Sequence, residues 1–350
     1  MAPGQPARPG PRWAGSGIAV AAGLAVAACA GSVPNPLPSG PEAPAGPAAS
    51  AGAHGATASG PPAPLTDLPT ASAADAGRRA IALALAGSDP HGLTAADVVY
   101  QEFAAPVRYI AVFQSKQATG VGPLTGTQPT DGQALSVLRP VFGYDGGTRV
   151  FTKVLDHTNV TDLGFETHRS LYARAPRGVT ASTKAVLRAG RGSGAPPQIF
   201  YFRGTATGRS ALATAGLSRP SAARVSIPRY GTESWAFDSH TGLWALTGGG
   251  PRVQVANVVV QTVPYKHAVV SHRAGTTVPS ARLIGKGSVE VLSGSAGGSG
   301  MAAAGTWSKP YLNQLTNYID NNGYPMAFQP GPTWVIFAPT GTRVSTSGGQ

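Results

Sequence analysis

The sequence predicts an α+β protein in which a mixed α/β lobe is followed by a smaller, mostly β lobe. Helix-like and strand-like segments alternate through about residue 205, whereas the chain from Arg224 onward consists of strand-like runs and turns. Only 12% of the residues are charged, and Gly and Pro together make up 79 of the 350 residues. This composition favours strands and turns and excludes a coiled coil.

The first lobe is predicted to span residues 78–222. Apolar runs at residues 80–86, 98–103 and 109–113 are typical of strands. Residues 134–138 and 181–189 suit short helices, and Thr180 or Ser182 is available as the N-cap of the second.

The second lobe is predicted to span residues 223–340, with a disordered tail at 341–350. Its strand-like runs are residues 224–227, 235–238, 243–246, 253–263, 282–284, 289–292, 305–307 and 333–338. Residues 238–242 suit a hairpin connection, in which Gly242 is free to adopt a positive φ. Residues 257–261 show no polar alternation and therefore fit a central strand that is buried on both faces.

The first 28 residues have the order of a bacterial lipoprotein signal peptide. Arg8 and Arg12 precede an unbroken small and apolar run at residues 18–28, which is too short to span a bilayer. Cys29, the single cysteine of the chain, follows directly. Residues 26–29 (VAAC) resemble the lipobox, in which the cysteine is diacylated and becomes the first mature residue. The alternative is an ordinary signal peptide that is cleaved after another alanine.

Residues 29–77 are predicted to be the lipidated cysteine followed by a disordered tether. Residues 30–77 contain ten prolines, seven glycines and no aromatic residue. Such a segment cannot bury enough apolar surface to offset the entropy of ordering it. We therefore expect a domain held off the extracytoplasmic face of the membrane, with packing of this segment onto the domain as the alternative.

The net charge of the chain is +12, and the part after residue 77 carries +13. Outside the membrane the anionic neighbours are lipid headgroups and cell-wall polymers, so we expect an anionic wall polymer and no nucleic acid as the partner. Simple solubility explains the charge equally well. The sequence does not indicate the oligomeric state.

Several blocks of sequence resemble the YerB-like lipoproteins of Gram-positive bacteria. They are residues 92–102 (GLTAADVVYQE), 112–115 (VFQS), 121–123 (VGP), 256–261 (ANVVVQ), 305–310 (GTWSKP) and 330–335 (PGPTWV). The resemblance covers the whole globular part and implies an extracytoplasmic lipoprotein with two lobes. It implies no catalytic residue, because no activity is established for the family.

Two loops depart from the family pattern. Residues 124–129 (LTGTQP) stand where the family has an Arg- and Ser-bearing stretch, and residues 175–178 (APRG) replace Ala-Pro-His-Asn. The arginine of the family pattern, at the place of residues 124–129, would suit binding of an anionic group. Either this chain takes another ligand, or these loops are not a site.

The chain shows no motif of a known chemistry and implies no cofactor or metal. The seven histidines are scattered, and Trp307 and Trp334 suit a core better than a sugar-binding platform. Asp97 is explained by local hydrogen bonding. The candidate ligand-binding residues are Glu102, Gln128, Asp131 and Asp145, which lie at a strand end or in loops.

Two functions follow. The first is a non-enzymatic envelope protein that binds a wall or membrane partner. The second is a hydrolase or transferase of an envelope glycan, with Glu102 and Asp131 as the candidate acid–base pair. An inactive relative of such an enzyme is a variant of the second function, suggested by the two altered loops. Convergence of these carboxyls in one cleft favours the enzyme, and their separation favours binding.

Overall fold

The computed structural model describes residues 60–87, 90–104, 106–190, 192, 194–203, 218–271, 276–294 and 297–348. The chain divides into two units, residues 1–54 and 55–350, and all described residues belong to the second. The predicted signal peptide, Cys29 and residues 30–59 of the predicted tether lie outside the described residues. Within the described ranges, no helix has the length and apolar character needed to cross a bilayer.

Strands predominate in the described part of the chain. The helices are α1 (Ala73–Ala76), α2 (Pro129–Leu135), α3 (Arg149–Leu155) and α4 (Thr183–Ala189), with short 3₁₀ turns at Leu93–Ala95, Ser136–Leu138 and Arg169–Leu171. The strands are β1 (Ile81–Ala86), β2 (Val98–Glu102), β3 (Arg108–Phe113), β4 (Val141–Gly143), β5 (Thr161–Asp162), β6 (Tyr172–Ala175), β7 (Gly178–Ala181), β8 (Tyr201–Phe202), β9 (Ala222–Ile227), β10 (Gly231–Asp238), β11 (Leu243–Gly248), β12 (Gln254–Val255), β13 (Asn257–Val263), β14 (Tyr265–Ser271), β15 (Thr276–Ala281), β16 (Gly285–Ser293), β17 (Met301–Lys309), β18 (Asn317–Asp320), β19 (Ala327–Phe328), β20 (Thr333–Pro339) and β21 (Arg343–Ser347).

One ten-stranded sheet combines strands from the first half of the chain (β1–β5) with strands from the second half (β13, β16–β18 and β20). Its order is β18-β17-β16-β13-β20-β2-β3-β1-β4-β5. Strand β20 lies between β13 and β2 and runs parallel to both. The strands of the first half therefore lie on one side of the β20–β2 pair, and the strands of the second half lie on the other.

The middle of this sheet is buried on both faces. In β13, Val258 and Val260 belong to one hydrophobic core, whereas Val259 and Val263 belong to a second core on the opposite face. The sequence prediction of a central strand at residues 257–261 is confirmed. Its continuous apolar run is what burial on two faces requires.

Different layers cover the two faces of the sheet. The first core includes Trp235 and Trp244 from the second sheet, whose order is β12-β11-β10-β9-β21. The second core includes Leu135 of α2 together with Phe202 and Phe328, which pair through β8 and β19. The α+β class is confirmed, and among the described residues all helices precede β8.

Local predictions agree with the structure where turn chemistry is explicit. Asp238 accepts hydrogen bonds from the His240 amide and the Thr241 hydroxyl, both at 2.9 Å, and Gly242 has a φ of +74°. The hairpin between β10 and β11 is therefore confirmed.

The strand predicted at residues 282–284 is wrong. These residues lie between β15 and β16 and belong to neither strand. The Leu283 amide donates instead to a side chain, Gln133 Oε1, at 2.9 Å.

The folded part begins earlier than predicted. Within the predicted tether, residues 60–77 pack on the domain: Leu65 is fully buried in the second core, and the Gly331 amide donates to the Thr66 carbonyl at 2.7 Å. Leu65 supplies the apolar burial that the composition of the segment as a whole lacks. The assignment of these residues to a disordered tether is therefore wrong.

The predicted disorder of the tail is also wrong for the residues of β21. This strand pairs with β9, and Val344 lies opposite Val225. Backbone hydrogen bonds to the β9 edge hold a segment whose side chains are largely polar and exposed.

Replacement of Leu65 by alanine tests the early boundary. We expect a loss of about 2–4 kcal/mol in the free energy of unfolding, because the substitution leaves a cavity in a packed core. Val150→Ala, at a half-exposed position on α3, is the control and should change it by less than about 0.5 kcal/mol. Urea unfolding followed by tryptophan fluorescence measures both, and equal effects would show that residue 65 does not belong to the core.

Candidate functional site

The structure brings Glu102 and Asp131 together around Arg108. Glu102 ends β2 and lies directly opposite Arg108 on β3. Arg108 Nη1 lies 3.0 Å from Glu102 Oε2 and 2.5 Å from Asp131 Oδ1, and Arg108 Nη2 lies 3.2 Å from Asp131 Oδ2. One guanidinium therefore binds both carboxylates, and it binds Asp131 through two nitrogens.

The local sequence of α2 sets the position of Asp131. Pro129 occupies the first turn of α2, where it costs no hydrogen bond, and Asp131 follows in the same turn. Asp131 Oδ2 accepts from the Thr127 hydroxyl at 2.9 Å and from the Gln128 amide at 2.8 Å. The carboxylate therefore caps its own helix while it binds Arg108.

Glu102 has hydrogen-bond partners from both halves of the chain. Its Oε1 accepts from the Thr130 hydroxyl and, at 3.2 Å, from the Ala281 amide at the end of β15. The Thr130 hydroxyl also lies 3.1 Å from Ser280 Oγ. The cluster thus links β2, β3 and α2 of the first half to the β14–β15 hairpin of the second.

The Arg108 cluster, comprising Glu102, Arg108 and Asp131, is closed to solvent. Exposure is 1% for Glu102, 3% for Arg108 and 0% for Asp131. Burial raises the pKa of Glu102 above its ordinary value, although Arg108 opposes this shift. Burial lowers the pKa of Arg108, but the charges of Asp131 and Glu102 outweigh that effect and raise it. The cluster is therefore an internal ion cluster that a substrate does not reach in this structure.

The other two candidate residues, Gln128 and Asp145, lie near the Arg108 cluster but are not members of it. Gln128 contributes its backbone amide, and its Oε1 is a buried atom with no hydrogen-bond partner among the described residues. Asp145 is half-buried, and its amide donates to the Thr125 carbonyl at 2.9 Å. Burial and then the charge of Glu166 raise the pKa of Asp145, while Arg174 lowers it. Asp145 therefore belongs to a separate surface group.

The two loops that depart from the family pattern are neighbours in space. The Leu124 amide donates to the Val179 carbonyl at 2.8 Å, directly after the 175–178 loop. A Cβ atom added to Gly178 would lie 3.1 Å from the Pro123 ring. The departures thus fall at one place on the surface, beside Asp145 and Arg174.

The residues that the sequence assigns to structural roles are buried or locally bonded. Trp307 and Trp334 are core residues whose indole nitrogens donate to the Thr262 carbonyl at 2.8 Å and to Gln101 Oε1 at 2.7 Å. Asp97 accepts from the amides of Gln114 and Ser115. Among the described residues, no group of three or more His, Cys, Asp or Glu side chains is arranged to hold a metal ion.

Sequence reasoning missed Glu233, a buried carboxyl between the two sheets. Glu233 lies on β10 and is 3% exposed, and its Oε1 accepts from Gln101 Nε2 of β2. Burial raises the pKa of Glu233 to about 7, although the Gln101 hydrogen bond opposes this shift. The period-2 pattern of β10 could have indicated this burial, because Glu233 lies two residues before the buried Trp235 and therefore on the same face of the strand.

Sequence reasoning also missed Lys309, which lines a small pocket beside β17 and β18. The buried residues of β17 include Gly305, Trp307 and Lys309, so the period-2 pattern places the lysine on the inward face. The pocket opens next to a larger groove lined by residues 198–201, 315–319, 325, 326 and 328. By its shape and aromatic walls this concave surface is a candidate binding site.

Replacement of Arg108 by methionine tests the role of the buried cluster. We expect a loss of about 3–5 kcal/mol in the free energy of unfolding, because two buried carboxylates remain without a cation. Arg169→Met, in an exposed ion pair with Glu166, is the matched control and should cost less than about 1 kcal/mol. Urea unfolding compares the two, and equal losses would show that the Arg108 cluster does not stabilise the fold.

Replacement of Glu233 by glutamine tests its shifted pKa. Between its ordinary pKa of 4.5 and about 7, the folded chain binds a proton that the unfolded chain does not, so stability falls as the pH rises. The variant should therefore gain stability relative to the wild type, by up to about 3 kcal/mol at pH 8. Urea unfolding at pH 5, 6, 7 and 8 measures this gain. Glu166→Gln, at an exposed position, is the control, and a constant difference between Glu233→Gln and the wild type would contradict the prediction.

Comparisons with known proteins agree with the fold. The N-terminal domain of a protein of unknown function (DUF3048) matches residues 65–194, and the C-terminal domain of the same family matches residues 225–335. The first match begins at Leu65, which the structure buries. No curated protein matches the chain.

A solved structure provides the second comparison. The chain is similar to the crystal structure of YerB protein from Bacillus subtilis, with 18% sequence identity and a TM-score of 0.63. The match covers 81% of this chain and 99% of that chain, and at this identity it establishes the shared fold. With two domain models of one family matching in order over more than half of its length, the chain belongs to the YerB-like family of proteins of unknown function.

Proposed function

We propose that the chain is a lipid-anchored protein of the bacterial cell envelope, whose extracytoplasmic domain is a non-enzymatic binding or scaffolding module. The anchor is Cys29, which follows an apolar signal segment and a lipobox-like sequence. Two acyl chains on the mature cysteine provide the two signals that stable membrane attachment needs.

The closed Arg108 cluster is the observation that supports binding over catalysis. A glycan hydrolase needs two carboxyls that face the sugar and exchange protons or attack the anomeric carbon. Glu102 and Asp131 converge, as the enzyme hypothesis requires, but Arg108 lies between them and both are almost completely buried. The convergence is thus accounted for by an internal ion cluster.

The charge of the domain supports an anionic partner in the envelope. Residues 78–350 carry +13, and wall polymers and lipid headgroups are the anionic surfaces outside the membrane. The residues before 60 remain the proposed tether, so the domain can reach such a partner at some distance from the bilayer.

Replacement of Cys29 by alanine tests the anchor. We expect the variant to move from the membrane fraction to the soluble fraction, because no thiol remains for acylation. Ser32→Ala, three residues away, is the control and should stay with the membrane. Fractionation of cells followed by immunoblotting measures the distribution, and a processed Cys29→Ala chain that stays in the membrane fraction would overturn the lipoprotein proposal.

A further inference from the structure

A narrow pocket and a wider groove meet at the β18 edge of the large sheet. The groove has a volume of about 300 Å³, and the inner pocket has about 30 Å³, which is room for about two water molecules. Both are lined by Ile199, Phe200, Thr316 and Tyr318. Together they form one site with a wide apolar entrance and a small inner end.

Among the described residues, Lys309 is the one charged side chain that lines this site. It is 3% exposed, and its ammonium donates to the Gln314 carbonyl at 2.9 Å. Among the described residues no carboxylate lies within 4.0 Å of it. An ammonium has three donors, so this cation keeps donor capacity that the described residues do not use.

Two amide side chains line the pocket beside Lys309. Gln261 Oε1 already accepts from the Tyr318 hydroxyl at 3.0 Å, and Gln133 Oε1 accepts from the Leu283 amide at 2.9 Å. Their side-chain nitrogens make no hydrogen bond to the described residues. The pocket therefore presents a buried cation and two amide nitrogens, and its described lining contains no acidic residue.

Burial of a cation is costly when no acidic partner offsets the loss of hydration. Desolvation lowers the pKa of Lys309 to about 8. An anion bound in the pocket would relieve the cost by pairing with the ammonium in a site of low dielectric constant. A carboxylate is small enough for the inner pocket, which has room for about two water molecules.

We propose that this site binds an organic carboxylate with an apolar body. The carboxylate pairs with Lys309 in the inner pocket, and the apolar body lies in the groove against Ile199, Phe200 and Tyr318. This inference deepens the proposed binding function, on which it rests, by naming the site and the chemical class of the ligand.

The test uses 3-phenylpropionate and its neutral isostere 3-phenylpropionamide with the purified full chain. We expect 3-phenylpropionate to bind at least ten times more tightly than the amide at pH 7, as measured by titration calorimetry. Its affinity should fall about tenfold between pH 7 and pH 9, as Lys309 loses its proton. These two measurements need no variant, so they hold even if a substitution at Lys309 unfolds the chain.

Variants localise the binding. Lys309→Met keeps the aliphatic stem and should weaken 3-phenylpropionate binding at least tenfold. Lys286→Met, at an exposed lysine on the neighbouring strand β16, should leave the affinity unchanged. Phenyl phosphate, whose tetrahedral head group is larger than a carboxylate, should bind more weakly than 3-phenylpropionate.

Four results would overturn the inference: no binding of 3-phenylpropionate at 10 mM, equal affinity for acid and amide, unchanged binding by Lys309→Met, or tighter binding of phenyl phosphate. Release of the Cys29→Ala chain from the membrane is measured separately. A failed ligand test with a successful release test therefore refutes the Lys309 site alone, and the reverse result refutes the anchor alone.

Discussion

The buried pairing of Arg108 with Glu102 and Asp131 is the interaction on which the arrangement of the two halves depends. The guanidinium alone or the two carboxylates alone would be very costly to bury, so the three groups must enter the interior together. Their partners include Thr130 on α2 and the Ala281 amide on β15. Docking of α2 and of the second-half hairpin is therefore coupled to closure of one ion cluster.

The central position of β20 gives the same coupling at the level of the backbone. This strand comes near the end of the chain, yet it lies between β13 and β2 and is parallel to both. The first half cannot complete its sheet until β20 is in place. Two domain models match the sequence in order, but the strands they describe share one sheet.

The Arg108 cluster and the Lys309 pocket differ in access and in charge pairing, and this difference is why we propose a binding function. In the Arg108 cluster one guanidinium binds both carboxylates, and the cluster has no access to solvent. Lys309 is equally buried, but it has no acidic partner among the described residues and lines a pocket that opens into an apolar groove. A buried cluster whose charged groups bind one another contributes to the fold, whereas a buried cation that lacks such a partner at a pocket wall is suited to a ligand of opposite charge.

The sequence by itself determined many of the strands, the family and the lipobox-like Cys29, because these depend on neighbouring residues. The period-2 pattern and the turn residues around Gly242 act over a few positions, so they can be recognised without the fold. It also identified Glu102 and Asp131 as notable. Only the tertiary structure decided that Arg108 binds both of them, that Leu65 packs in the core, and that Lys309 has no acidic partner among the described residues. These facts depend on contacts between distant segments, which set burial and charge balance and leave no local pattern.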